Sequence, residues 1–354
     1  MIRVLVVDDS ALVRKLIGQV LAAEADFEVE FARDGLDALE RLAVFQPDVV
    51  TLDIQMPRLD GLATLDRIML ERPCPVVMVS SLTAEGADST LEALRLGAVD
   101  FVTKPSGAVS LRMAEFAPQL IAKVRAAAGA RLRSTYRLKD RIRHRTGMGL
   151  APRAAERPAM AAATGEGLVL VGTSTGGPPA LEALLTPLPA GFPWPILVAQ
   201  HMPASFTGPL ARRLDGLCAL SVVECGQPMR LEPGTVYIGR GDADLVVSRR
   251  RAGLMAAPAA SEPDYLWHPS TDRLVRTAMD QLPAGQLIGV LMTGMGNDGA
   301  EAMARLRAQG GRTIAEAEET AVVWGMPGEL VKAGGADFVL PVQKIAERLQ
   351  ALTP

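Results

Sequence analysis

Two groups of residues in this chain have the types and spacing to do chemistry. Asp8 and Asp9 close the short apolar run from Arg3 to Val7, and Asp53 closes the run from Asp48 to Leu52. Ser80 follows Pro75 to Val79, and Lys104 follows Val99 to Thr103. Each run is short and rich in β-branched residues, so each reads as a strand with a reactive residue at its C-terminal end. In an open parallel sheet those ends share one crevice, and the three acids meet there. Clustered carboxylates repel and raise one another's pKa unless a cation sits among them. A hard divalent ion with oxygen ligands, Mg2+ first, fits Asp8, Asp9 and Asp53. With a hydroxyl and an ammonium at the same edge, the crevice suits phosphoryl transfer onto a carboxylate. Any one of these acids alone would be an ordinary helix cap; five such residues at strand ends are not.

The second group lies beyond residue 165. Leu168 to Val171 reads as a strand, and Gly172-Thr-Ser174-Thr-Gly176-Gly177-Pro178 turns it into a helix, with Pro178 suited to a first helical position. Ser174 thus stands at a strand-to-helix elbow inside a G-x-S-x-G pentapeptide. Of the three histidines, His144 falls in a basic stretch, His201 follows the strand Pro195 to Gln200, and His268 lies in Tyr265-Leu-Trp-His-Pro269. A further strand, Leu287 to Met292, leads into a glycine-rich loop holding Asp298. Ser174, His201 and Asp298 each sit just past a strand end, the relation required of a nucleophile, its base and the carboxylate that orients the base. Two other readings use the same residues. The order serine, acid, histidine would join Ser174 to His268 through Asp242, Asp244 or Asp264. Gly294 to Gly299 also spells a dinucleotide fingerprint, with Glu316, Glu318 and Glu319 as ribose-binding acids. Against the latter, Asp298 would put a carboxylate where a pyrophosphate must sit.

Short strands alternate with amphipathic segments from residue 2 to about 130, with Phe27 to Ala32 a further strand and a longer helix from about Leu111 to Arg131. Periodicity fails in a basic, then Ala-rich stretch and resumes at Leu168. The expected organisation is a domain over 1–130, a flexible linker over 131–165 and a second domain over 166–354, both α/β. The 354 residues suffice for two cores, and a formal charge of -3 gives no reason to expect a nucleic-acid or membrane partner. Cys74, Cys218 and Cys225 have neither disulfide-framework nor zinc spacing, so reduced cysteines in a cytoplasmic protein are expected. The amino-terminal apolar run is too short and too soon charged for a signal peptide, and no later apolar run is long enough to span a bilayer.

The first domain resembles response-regulator receivers. Val-Asp8-Asp9-Ser10, Thr-Leu-Asp53-Ile-Gln-Met-Pro57 with Asp60-Gly61, Val-Ser80-Ser81 and Thr-Lys104-Pro105 fall in the family's order. The resemblance implies a flavodoxin-like receiver with Asp53 as phosphoacceptor and Asp8 and Asp9 holding Mg2+. It also implies Ser80 as switch hydroxyl, Phe101 as switch aromatic and Lys104 as partner of the phosphoryl oxygens. The second domain resembles the chemotaxis protein-glutamate methylesterases through Gly172-Thr-Ser-Thr-Gly-Gly177, Gln200-His201-Met-Pro203 and Leu291-Met-Thr-Gly-Met-Gly-Asn-Asp298-Gly299, with Gly325-Met-Pro327 a weaker match.

This second resemblance implies a doubly wound, Rossmann-like parallel-sheet esterase with the triad Ser174, His201 and Asp298 and no cofactor for the ester chemistry. Oxyanion donors by analogy are the backbone N–H groups of Thr175 and Met295. The implied substrate is a γ-glutamyl methyl ester on the cytoplasmic domain of a methyl-accepting chemoreceptor, with deamidation of receptor glutamines through the same acyl-enzyme. The implied regulator is a chemotaxis histidine kinase acting through Asp53. One departure stands beside the triad: Trp267-His268-Pro-Ser-Thr-Asp272 resembles a family block that carries Arg where this chain has His268. A non-enzymatic adaptor that binds a receptor without cleaving it is the competing class. A DNA-binding output half is not expected, because that half carries α/β periodicity and no helix-turn-helix pattern.

Overall fold

The computed structural model describes residues 1–81, 83–104, 109–132 and 166–354. His144, Pro105 and most of the basic stretch therefore lie outside the described residues. The chain divides into two compact units, Met1–Gly149 and Leu150–Pro354.

In the first unit five strands, β1 (Ile2–Val7), β2 (Phe27–Ala32), β3 (Val49–Asp53), β4 (Val76–Ser80) and β5 (Asp100–Thr103), alternate with helices α1 (Ala11–Ala22), α2 (Gly35–Phe45), α3 (Gly61–Glu71), α4 (Ala84–Leu96) and α5 (Val109–Ala128). The sheet order is β2-β1-β3-β4-β5, all parallel. Every residue of β3 and β4 is buried, as expected for central strands covered by helices on both faces. Side chains start the helices: Ser10, Asp34, Asp60 and Thr83 each accept a backbone N–H from the first turn. The chain reverses direction across the sheet between β1 and β3. Val7 pairs with Leu52 there, so the next residues, Asp8 and Asp53, lie side by side at the switch point.

The second unit is built on a seven-stranded parallel sheet in the order β15-β14-β13-β6-β7-β10-β8. Its strands are β6 (Leu168–Thr173), β7 (Ile196–Gln200), β8 (Ser221–Cys225), β10 (Thr235–Gly239), β13 (Leu287–Leu291), β14 (Arg312–Glu316) and β15 (Phe338–Leu340). The helices are α6 (Gly177–Leu185), α7 (Ala204–Leu217), α8 (Thr271–Met279), α9 (Ala300–Ala308), α10 (Met326–Lys332) and α11 (Val342–Leu352). From β6 the sheet runs to β7, β10 and β8 on one side and to β13, β14 and β15 on the other, so the switch point falls between β6 and β13, with β7 on the other side of β6. A small antiparallel sheet of β11 (Asp244–Arg250), β12 (Gly253–Ala259) and β9 (Met229–Arg230) is an addition that local patterning did not indicate. It leads directly into the segment that begins α8.

All three cysteines are free and buried. Burial pushes the thiols of Cys74 and Cys225 up to about 12 and that of Cys218 up to about 11, which makes them poor nucleophiles. Among the described residues no helix is long and apolar enough to cross a membrane.

Candidate functional site

Each unit carries a crevice at its switch point. In the first, ligand oxygens of Asp8, Asp9 and Asp53 lie within 4.8 Å of one another. Asp8 and Asp53 are buried while Asp9 is exposed, which leaves one open side. Lys104 Nζ bridges the buried pair, 2.9 Å from Asp8 Oδ2 and 2.8 Å from Asp53 Oδ2. Burial is the strongest influence on Asp53 and pushes its pKa up; Lys104 opposes this and the charge of Asp8 adds to it. Burial pulls Lys104 down, but hydrogen bonds and charge from the two carboxylates more than reverse it, so it stays firmly protonated. Three carboxylates against one ammonium leave the crevice net negative, and the oxygen spacing fits a hard divalent cation. Gly61 is required by close approach: a Cβ there would lie 2.1 Å from the Asp53 carbonyl oxygen.

The other two residues expected here face different partners. Ser80 is fully buried, and its Oγ lies 3.2 Å from the Gly86 carbonyl while accepting from Thr90 Oγ1 at 2.8 Å, so the hydroxyl is engaged with α4 and not with the acids. Phe101 is also buried; Lys123 Nζ sits 5.0 Å from its ring centroid and donates to its carbonyl at 2.7 Å and to Asp100 at 2.9 Å.

In the second unit the ends of β6 and β7 are stitched by one side chain. Gln200 Oε1 accepts from Thr173 Oγ1 at 2.6 Å, and its Nε2 donates to the carbonyls of Ser174 and His201 at 3.0 and 3.2 Å. Thr173 pairs with Gln200 in the ladder, so Ser174 and His201 are the next residues on adjacent strand ends. The helix after Ser174 must start flush against this stitch: a Cβ on Gly177 would lie 1.9 Å from Gln200 Oε1. From the other side the loop after β13 closes in, with Ser174 N–H donating to the Thr293 carbonyl at 3.0 Å and Thr293 Oγ1 donating to the Thr175 carbonyl at 2.8 Å.

His201 Nε2 lies 2.8 Å from Asp298 Oδ2. Asp298 is buried at the N-terminus of α8, where its Oδ1 accepts from Ser270 Oγ at 2.9 Å and Asp272 N–H at 3.1 Å, and its Oδ2 from Thr271 N–H at 2.6 Å. Burial pushes the Asp298 pKa up, yet His201 and these backbone donors outweigh it and hold the carboxyl below its ordinary value. An ionised Asp298 only accepts, so His201 Nε2 carries the hydrogen, and in the neutral ring the lone pair is then on Nδ1. That Nδ1 is buried and has no hydrogen-bond partner among the described residues. No hydrogen bond joins it to Ser174 Oγ, so the base–carboxylate half of the constellation is closed and the nucleophile half is open. Open nucleophile–base geometry is common without substrate. Of the two oxyanion candidates, Met295 N–H has no acceptor among the described residues, and Thr175 is buried directly after Ser174.

The alternatives do not assemble. His268 Nδ1 does pair with Asp244 Oδ1 at 2.9 Å, but Asp244 is held by Arg273 at 2.7 Å and Ser270 N–H at 2.8 Å, and neither His268 nor Asp244 bonds to Ser174. In the fingerprint-like loop the Asp298 carboxylate is committed to His201 and to the N-terminus of α8, and Glu316 is buried against the Thr293 N–H at 2.9 Å.

Three residues at this crevice escaped sequence reasoning. Ser270 and Thr271 supply donors to Asp298, and Ser270 also caps α8. Trp267 stacks on His201, ring centroids 5.8 Å apart and planes 1° from parallel. The Pro-Ser-Thr-Asp272 run was a visible cap signal, but nothing local says which carboxylate that helix end receives.

Comparison with known proteins agrees with this division. Residues 169–349 match the family model of the CheB methylesterase, and residues 4–114 match that of the response regulator receiver domain. A protein-glutamate methylesterase/protein-glutamine glutaminase 2 of Rhodopseudomonas palustris is 58% identical over 353 residues, covering 98% of this chain and 96% of that protein. A protein-glutamate methylesterase/protein-glutamine glutaminase 3 of Rhodospirillum rubrum is 53% identical over 357 residues, covering 99% and 96%. Among solved structures, the CheB methylesterase catalytic domain of Thermotoga maritima aligns with a TM-score of 0.52 at 38% identity, covering 54% of this chain and 100% of that one.

Proposed function

This chain belongs to the CheB methylesterase family and is a protein-glutamate methylesterase carrying a receiver domain, and from that premise we propose a specific division of labour among its residues. Ser174, His201 and Asp298 hydrolyse γ-glutamyl methyl esters on the cytoplasmic domain of a chemoreceptor, which puts the enzyme in the cytoplasm. Phosphorylation of Asp53 by a chemotaxis histidine kinase raises that activity. The observation that carries the esterase reading is the His201–Asp298 pair at 2.8 Å with the buried Nδ1 unclaimed, on the strand end next to Ser174.

The chemistry follows from that geometry. Ser174 Oγ attacks the ester carbonyl as His201 Nδ1 takes its proton. The resulting imidazolium is stabilised by Asp298, which Ser270, Thr271 and Asp272 hold ionised and fixed. The tetrahedral oxyanion receives the N–H groups of Met295 and Thr175. Methanol leaves with the proton from His201, and a water, deprotonated by the same Nδ1, releases the glutamate. A glutamine would give the same acyl-enzyme with ammonia as leaving group, which is the basis for a glutaminase activity.

In the receiver, Asp53 attacks the incoming phosphoryl group and Lys104 moves from bridging two carboxylates to bonding the new phosphoryl oxygens. The oxygens of Asp8, Asp9 and Asp53 would hold Mg2+, which when bound offsets negative charge at the transferring group. Ser80 has to leave its contacts with Gly86 and Thr90 to reach that group, and this rearrangement is the switch.

The test is methanol release from a methylated chemoreceptor cytoplasmic fragment, with and without acetyl phosphate and Mg2+. Ser174→Ala should lower the rate by a factor on the order of 10^4 to 10^6. Normal turnover by that variant would end the triad assignment. Equal rates with and without the phosphoryl donor would remove the switch and leave the esterase.

A further inference from the structure

We propose that Trp267 is a positioning residue for the esterase: its indole fixes the plane of the His201 ring and so aims the Nδ1 lone pair at Ser174. This inference rests on His201 being the base. A single hydrogen bond to Asp298 fixes where Nε2 sits, but the ring can still tilt about that contact. The Nδ1 lone pair lies in the ring plane, so a tilt carries it away from the serine hydroxyl. Hydrogen bonding does nothing to restrain it, since Nδ1 is buried without a partner. The restraint present is the indole face, 1° from parallel with the imidazole at a centroid distance of 5.8 Å, an offset stack.

The indole is itself held through its ring and through the chain. Gly296, at φ +86, lies close against the ring, where an added Cβ would come within 2.8 Å of Trp267 Cζ2. The next residue in the chain, His268, is tied to the fully buried Asp244, which also binds Arg273 and the Ser270 N–H. Ser270 in turn donates to Asp298. One short segment, 267–271, therefore sets the base by its face through Trp267 and by its edge through the donors to Asp298. His268, which stands where the family block has Arg, belongs to this support and not to a second catalytic pair.

The experiment compares Trp267→Phe and Trp267→Leu with the wild-type full chain, activated with acetyl phosphate and Mg2+, on the methylated receptor fragment. Phe keeps a flat face and Leu fills space without one. The expected result is a fall of about 10-fold in kcat for Leu, no more than about 3-fold for Phe, and an unchanged KM in both. Trp267→Leu should cause no further loss in a His201→Ala background, since it acts only through that ring. A rise in KM at constant kcat would make Trp267 a substrate wall, and a loss that persists without His201 would make it merely structural; either overturns the inference. Substantial activity of His201→Ala alone would instead overturn the base assignment itself, so the two failures are distinguishable.

Discussion

Asp53 and Asp298 are the same residue type, each 3% exposed and each at the switch point of a parallel sheet, Asp53 ending β3 and Asp298 in the loop after β13, yet their carboxyls are driven in opposite directions. Burial pushes both up. At Asp298 two backbone N–H groups, a serine hydroxyl and a histidine edge surround the oxygens, and their sum wins. At Asp53 one lysine is shared with Asp8, the nearest backbone donor is Gln55 N–H at 3.4 Å, and a second acid adds its repulsion. Number of donors, not depth, decides the outcome. The difference suits the proposed roles: a carboxylate that must stay ionised to support an imidazolium is saturated with donors, whereas one that must attack an electrophile keeps its oxygens under-satisfied.

The sharpest way to break this comparison is to remove the charge from the saturated site. Asp298→Asn presents an amide to His201, and its NH2 group favours the imidazole tautomer with hydrogen on Nδ1, the wrong one for a base. A fall in kcat of about 10^3 to 10^4 is expected, with little change in KM, measured by methanol release. A loss under about 10-fold would mean that Asp298 is a helix cap that merely touches His201. The same substitution should destabilise the second unit by about 2–3 kcal/mol at neutral pH, because three donors lose their charged acceptor. The lowered carboxyl sets the sign with pH: its contribution is complete above the unfolded value of about 3.9 and is lost as pH falls through the folded one. Wild type and variant should therefore converge in strong acid.

Binding of Mg2+ probes the under-satisfied site. At a concentration about 100-fold above its Kd the ion should stabilise the first unit by about 2.7 kcal/mol, read as slower amide exchange in β1 and β3 of the full chain. Asp8→Asn should weaken that response strongly and Asp298→Asn should leave it intact. Equal protection in the Asp8→Asn chain would show that the three acids are not the ligands.

How far the sequence could be read follows the same division between strand ends and long-range partners. Asp8, Asp53, Lys104, Ser174 and His201 were legible because each directly ends an apolar run, and a parallel sheet gathers those ends whatever its loops do. Asp298 was nearly so, standing a few residues past Leu291. Trp267 and Ser270 were not. Their approach depends on β11 and β12, and that hairpin is poorly marked: β12 is Gly-Leu-Met-Ala-Ala-Pro-Ala, weak in β-formers and containing a proline. Ser80 was placed on the right strand end, but which neighbour its hydroxyl faces is decided by Gly86 and Thr90 one helical turn apart on α4.

The smallest expected effect is the most discriminating for the comparison, because it should have the opposite sign. Asp53→Asn keeps the shape of the side chain, leaves Lys104 paired with Asp8, and removes one of three clustered negative charges. The raised carboxyl of Asp53 means that the folded first unit tolerates the ionised form poorly. That penalty is fully present above the folded value and is relieved as pH falls from there toward the unfolded value of about 3.9. Asp53→Asn should thus be more stable than wild type at pH 7, by about 1 kcal/mol, with the advantage vanishing toward pH 4. Amide exchange of β1 and β3 in the full chain, without Mg2+, measures it. If Asp53→Asn instead weakens the unit at neutral pH as Asp298→Asn weakens the other, then Lys104 satisfies Asp53 as completely as the helix end satisfies Asp298. Two buried aspartates at equivalent places would then differ in partners but not in strain, and the under-satisfied carboxylate would no longer support the proposed role of Asp53 as phosphoacceptor.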